Sequence, residues 1–122
     1  MKRVGKIDRT IYSCVTEDII TDKVVFTENQ IEHVIEGHGD DYKTIKKYLK
    51  TVIEHPDYIV EDTKPNTAVA LKRVNDIRIL LVLRLATSKE INYENSIITF
   101  FKIDEKRWNR YLRSRKILYK AY

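Results

Sequence analysis

The hydrophobic period of this chain changes at Pro56. Before it, apolar residues recur about every 3.6 positions, the period of a helix; after it they alternate, the period of a half-buried strand. Upstream, Thr27-Glu28-Asn29-Gln30 has the form of a capping box, with Thr27 as N-cap and Gln30 three residues on. Ile31, Val34, Ile35 and His38 follow at helical spacing. Gly37 and Gly39 are expected to end that helix. Asp40 or Asp41 is expected to cap a second helix through Glu54, with Tyr42, Ile45, Leu49, Val52 and Ile53 on its apolar side. Pro56 closes it and pushes His55 out of helical geometry.

Downstream, residues 58–63, 68–74, 77–85 and 96–103 read as strands. Lys64-Pro65-Asn66 and Asn75-Asp76 supply the first two turns, and 86–95 is a polar loop. In the third strand the odd positions Ile77, Ile79, Leu81, Leu83 and Leu85 are all apolar, so that face must be covered, most simply by the two helices. Its even positions, Arg78, Leu80, Val82 and Arg84, make a mixed face ending in cations. From Asp104 the chain turns into a basic helix. The expected fold is therefore α+β: N-terminal helices packed on one face of a four-stranded antiparallel sheet, a C-terminal basic helix, and the second sheet face open to carry a site. Residues 1–26 have the weakest periodicity; short strands at Val4 to Ile7 and Val24 to Phe26 and a helical turn around Ile11 to Val15 are expected there. With no repeat and no Gly/Ser/Pro linker, residues 1–122 are expected to form a single domain.

The one cysteine, Cys14, excludes an intramolecular disulfide framework and a Cys-rich zinc site, and reads as a buried thiol. The N-terminus is positively charged but has no apolar run behind it, and no stretch approaches the ~20 apolar residues of a membrane span. A soluble, cytoplasmic protein is expected, with no membrane partner. The formal charge is +5, and its distribution matters more than its size. From Lys102 to Tyr122 there are eight Lys and Arg against two acids, with Trp108, Tyr111, Tyr119 and Tyr122 among them. Arg107, Arg110, Arg113, Lys116 and Tyr119 have the chemistry to neutralise phosphates and stack bases. The same pattern also describes a solvated amphipathic helix with its aromatics on the sheet.

Chemistry-bearing side chains fall into three groups. His33 and His38 are five residues apart, hence about 140° apart around a helix. This is not the i, i+4 spacing with which two imidazoles share a metal, so no metal site is expected. His38 lies on the apolar face at the helix C-terminus and reads as either a half-buried capping histidine or a general acid/base; His33 reads as either a plain surface residue or the acid/base. Lys72 shares a strand face with the small Ala68 and Ala70, and Arg84 lies on the mixed face of the next strand. Cations held on strands stabilise the extra charge of a pentacoordinate phosphorane, but also occur simply as solvent-facing charges. Ser96 and Thr99 place small hydroxyls in an otherwise apolar strand, suited to donating to phosphate, though threonine is also a good strand residue.

Phe26 to His38, containing Ile31-Glu32-His33-Val34-Ile35-Glu36-Gly37-His38, resembles the I-x-H-I-x-x-x-H helix of the phage-encoded branch of barnase–EndoU–colicin–RelE-like nucleases. Pro56-Asp57-Tyr58-Ile59, Lys72, Leu83-Arg84-Leu85, Asn95-Ser96-Ile97-Ile98-Thr99 and Tyr119-Lys120 follow in that family's order, so the similarity spans Val24 to Lys120. One departure is Gly37-His38-Gly39, where a basic residue is expected before the histidine. The resemblance implies a toxin-like, metal-independent endoribonuclease with no cofactor, which cleaves RNA by 2′-hydroxyl attack. It further implies His33 or His38 as acid/base, Lys72 and Arg84 as phosphate clamp, Ser96 or Thr99 as phosphate ligand and Tyr119 as contributor. RNA and an immunity or antitoxin protein are the expected partners. The residues also admit a non-catalytic nucleic-acid-binding or toxin-regulating module of a phage or mobile element, and a protein-interaction domain whose charge serves only solvation.

Overall fold

The computed structural model describes residues 2–90 and 94–122. The chain runs β1 (Lys2–Lys6), α1 (Arg9–Tyr12), β2 (Lys23–Phe26), α2 (Glu28–Ile45), a 3-10 turn (Lys46–Tyr48), α3 (Leu49–Glu54), β3 (Tyr58–Glu61), β4 (Thr67–Val74), β5 (Ile77–Arg84), β6 (Asn95–Lys102), α4 (Glu105–Ser114) and β7 (Ile117–Lys120). The class is α+β as expected. The sheet, however, has seven strands in the order β1-β2-β6-β5-β4-β3-β7, not four, and it is mixed. The expected meander β3-β4-β5-β6 is its centre, antiparallel throughout. β2 adds to β6 in parallel, β1 to β2 and β7 to β3 antiparallel.

Local chemistry explains the elements. Thr27 caps α2 by accepting from the Gln30 amide at 3.2 Å, and Asp104 caps α4 by accepting from the Arg107 amide at 2.8 Å. The helical geometry of α2 breaks where Gly37 and Gly39 are expected to end it: His38 between them is non-helical (φ −145°, ψ 49°), and beyond this bend a second helical stretch runs to Ile45, with Tyr42 and Ile45 packed on the main core. Asn75 and Asp76 both have positive φ (47° and 66°), which makes the β4–β5 connection a two-residue turn whose twist matches the strands.

Two apolar layers flank the sheet. On one face Phe26, Ile59, Ala68, Ala70, Ile79, Leu81, Leu83, Ile97 and Phe100 pack against Tyr12, Val34, Ile45, Leu49, Val52 and Ile53. Each large apolar side chain so withdrawn from water contributes about 1.5–3 kcal/mol. The Tyr12 hydroxyl is buried with them and donates to the Ile53 carbonyl at 2.7 Å. On the other face Val60, Val69, Leu71, Leu80 and Ile103 lie under Trp108, Tyr111 and Leu112 of α4. The second face is therefore not wholly open: α4 covers the part beside β3 and β4. Among the described residues, no helix is long and apolar enough to cross a membrane.

Candidate functional site

Directly paired residues on neighbouring strands point to the same face, so the register states which side chains meet. The row Arg3–Val25–Ser96–Arg84–Thr67 crosses five strands on the face opposite the main core. The next row on that face contains Thr99, Val82 and Val69, and the one after it Phe101, Leu80 and Leu71. Val69 and Val82 of the second row still belong to the apolar patch under α4, and Val25 and Thr67 are buried. Arg3, exposed, and Arg84, Ser96 and Thr99, half-buried, are the groups that reach solvent among the described residues and make up the uncovered part of this face.

Two irregularities assemble this face. The first is a bulge in β6: Leu83 pairs with Ile97 and Val82 with Thr99, which leaves Ile98 unopposed. In a regular strand Ser96 and Thr99 would face opposite sides; one extra residue puts both hydroxyls on the uncovered face. The second is the bend at His38. β2 pairs with β6 only at Asn95 and Ser96, so the outer edge of β6 beyond Ser96 lacks a strand partner among the described residues. α2 lies along that edge, where Asp41 accepts from the Lys102 amide at 3.1 Å. At the bend the His38 ring passes over the edge and stacks on Phe101, with centroids 4.7 Å apart and planes 25° from parallel. The Arg107 guanidinium lies 5.5 Å from the centroid of the same ring.

Arg84 is held by Glu90 from the following loop: its Nη2 is 2.9 Å from Oε1 and 2.8 Å from Oε2, and its Nε 3.2 Å from Oε2. Hydrogen bonding from Arg84 holds the Glu90 carboxyl below its ordinary range. A fork-shaped guanidinium on a carboxylate has the same geometry it would take on a phosphate. Beside it Asn95 is fully buried, accepts from the Ala86 amide at 2.8 Å and donates to the Thr21 and Lys23 carbonyls at 2.9 Å each. It ties the β2–β6 junction to the loop carrying Glu90.

The structure thus brings His38, Arg84, Ser96, Thr99 and Arg107 to one face. It does not bring the others. Lys72 pairs with Ile79 on the helix-covered face, five positions along β5 from Arg84, or about 17 Å. Its ammonium is 3.2 Å from Asp57, a buried carboxylate that also accepts from the Arg73 amide at 2.9 Å and from the Tyr122 hydroxyl at 3.2 Å. Lys72 and Arg84 therefore do not form one clamp, and Lys72 is a tie between β4, β3 and the C-terminus. His33 is exposed, one residue before the core residue Val34. Tyr119 pairs with Ile59 and packs on the main core, which turns it away from the α4 cations. Arg110 and Arg113 are exposed on α4 and Lys116 lies just past it. Arg107, Arg110, Tyr111, Ser114 and Arg115 surround a shallow cleft of about 180 Å³. Phe101 and Glu90 belong to the face and were not singled out from the sequence. The alternation of β6 marks Phe101 as a residue opposite Phe100; nothing local marks Glu90.

A protein-family model, described as phage-Barnase-EndoU-ColicinE5/D-RelE like nuclease2, matches residues 1–120. No curated protein and no solved structure matches the chain.

Proposed function

Because this chain belongs to the phage barnase–EndoU–colicin E5/D–RelE-like nuclease 2 family, we propose that its uncovered sheet face cleaves RNA without a metal, His38 transferring the proton and Arg84 holding the phosphate. The observation that carries this is the convergence of His38, Arg84, Ser96 and Thr99 on one face, from three elements far apart in sequence. Leu80, which pairs with Phe101, and Arg84 are four residues apart on β5, about 13 Å, a span filled by one nucleotide and the arginine side chain. Thr99 sits between them.

In this reading the substrate phosphate displaces the Glu90 carboxylate from Arg84. The neutral His38 imidazole takes the proton of the ribose 2′-hydroxyl, whose oxygen attacks phosphorus. The P–O5′ bond breaks, and the 5′ oxygen takes a proton from solvent at this exposed site, leaving a 2′,3′-cyclic phosphate. Arg84 carries the charge that builds on the phosphorane, and the Ser96 and Thr99 hydroxyls donate to its oxygens. Glu90 is the occupant of the phosphate seat rather than the base, since Arg84 lowers its basicity.

The test is cleavage of mixed RNA pools in chelator, with His38→Ala, Arg84→Met, His33→Ala and Lys72→Met measured beside the parent chain. His38→Ala and Arg84→Met are expected to lower kcat by about 10²–10⁴-fold, and His33→Ala and Lys72→Met by less than about threefold. Wild-type rates in His38→Ala, or activity only with added divalent cation, would overturn the mechanism. The non-catalytic reading predicts salt-sensitive RNA binding with no cleavage.

A further inference from the structure

A second cationic surface lies at the opposite edge of the sheet from α4. β1 runs against the 3-10 turn and α3, and a cleft of about 430 Å³ opens between them. Every charged residue lining it is a cation: Arg3, Lys46, Lys47 and Lys50. Among the described residues, none of the four is within 4 Å of a carboxylate. The Lys46 and Lys47 ammoniums lie over the Tyr42 and Tyr48 rings, at 5.7 and 5.2 Å, which leaves their donors available. Gly5 makes the cleft possible. Its φ is +134°, and a Cβ there would meet Glu54 Oε2 at 3.1 Å and Lys50 Cγ at 3.3 Å. The register break between Arg3 and Gly5 bends the strand at the same point.

The register connects this cleft to the site. Arg3, on the edge strand, stands in the cross-strand row of Ser96 and Arg84, three strand spacings from Arg84, or about 14 Å. The three lysines come from the helix-covered side, so a chain running from Arg84 to them turns round the β1 edge at Arg3. We infer that the cleft binds the phosphate backbone of single-stranded RNA a few nucleotides away from the phosphate held at Arg84, so that Arg3 and the lysines set substrate length and register rather than the chemistry. This rests on the reading of the uncovered face as an RNA site. Backbone phosphates suit the cleft better than a protein partner does. A protein anchor needs an apolar or aromatic pocket; here the apolar lining is only Val4 and the buried Leu49, beneath four long cationic stems.

The experiment uses the His38→Ala chain, so that RNA is not consumed, and fluorescein-labelled oligouridylates of about 4 and about 12 nucleotides. Arg3→Gln/Lys46→Gln/Lys47→Gln/Lys50→Gln is expected to weaken the longer oligomer about 10–30-fold and to flatten its salt dependence by about two to three phosphate contacts, with the short oligomer unchanged. Arg84→Met should weaken both. Arg3→Gln alone, at an exposed position, should show a smaller loss of the same kind and guards against misfolding of the quadruple variant. Unchanged affinity for the longer oligomer in the quadruple variant would overturn the inference. So would polyglutamate binding as tightly as RNA with the same dependence on the four residues, which would make the occupant an acidic protein. If the parent chain cleaves no RNA but the length-dependent loss is found, the cleft stands and only the catalytic reading falls.

Discussion

Replacing Asn95 by alanine removes three hydrogen bonds at the point where β2, β6 and the segment following β5 meet. The Asn95 side chain is fully buried, and its partners are the Ala86 amide and the Thr21 and Lys23 carbonyls. A buried backbone group left without a partner costs about 1–3 kcal/mol. Ala86 is itself buried and bears the full cost, whereas the carbonyls of Thr21 and of the exposed Lys23 regain some water. The expected loss is about 3–4 kcal/mol, a large share of the 5–15 kcal/mol typical of a domain. It should appear as a lower urea midpoint with unchanged slope, and as a melting temperature lower by about 10–20 °C. Asn95→Asp separates donors from acceptors. It keeps the acceptor for Ala86 but sets carboxylate oxygens against two carbonyls, which raises its folded-state pKa. A raised pKa contributes stability that is fully present below the unfolded value and lost as pH rises through the folded one. The Asp variant should therefore be weakest at neutral pH and recover toward pH 5 or below, roughly. A loss under about 1 kcal/mol in the alanine variant, or an Asp variant with no pH dependence, would refute the role given to this amide.

Glu90→Gln should tighten binding of inorganic phosphate and of short RNA several-fold, read by calorimetry, because Arg84 loses a charged competitor; equal or weaker binding would count against the seat-holding role. In the parent chain the Arg84–Glu90 pair should persist through neutral pH and open only in acid, since its carboxyl is held below its ordinary 4.5 and such a group loses its contribution as pH falls through the folded value. Cys14, half-buried with its thiol pushed up by burial, should be alkylated by iodoacetamide at least about tenfold more slowly in the folded than in the urea-unfolded chain, and stability should decline with pH above its ordinary 9.0 less steeply in Cys14→Ser. Asp76→Gly should stabilise by about 0.5 kcal/mol in chemical denaturation, because φ of 66° suits glycine and the ion pair with Arg73 at 3.2 Å that it gives up is exposed.

The regular parts of the fold were legible because their periods are regular. The odd-position apolar run of β5, the Thr27 cap and the Asn75-Asp76 turn each name their own structure, and the central meander followed from them. What escaped were the pairings that depend on distant partners. β7 is four residues, Ile117–Lys120, a run too short to stand apart from the α4 sequence until Ile59 and Val60 offer an edge. β2 reads as a strand, but nothing in Lys23–Phe26 says that it will lie parallel to β6. At the site, Lys72 and Arg84 share a chemical type but not a face: the alternation of Lys72 with Ala68 and Ala70 puts it on the core face, where the partner that satisfies it, Asp57, comes from before β3.

The uncovered face owes its chemistry to the two places where periodicity fails. Continued regular pairing would send Ser96 and Thr99 to opposite sides, and a straight α2 would keep His38 on the helix side with Tyr42 and Ile45. The Ile98 bulge and the bend at His38 each move one group onto the same surface, and both act on β6, the strand that β2 leaves half-paired. The partial pairing is thus the condition for the rest: a β2 long enough to run to Lys102 would compete with Asp41 for the Lys102 amide and close the edge over which the His38 ring passes to Phe101. On the proposed mechanism, with His38 transferring the proton, Phe101 is its positioning residue. Phe101→Leu keeps the burial under α4 but removes the ring that His38 stacks on, and should lower kcat for RNA cleavage with little change in KM. Phe101→Tyr, which keeps the ring, should restore it. Equal rates in both variants would mean that the stacking with centroids at 4.7 Å does not orient the imidazole.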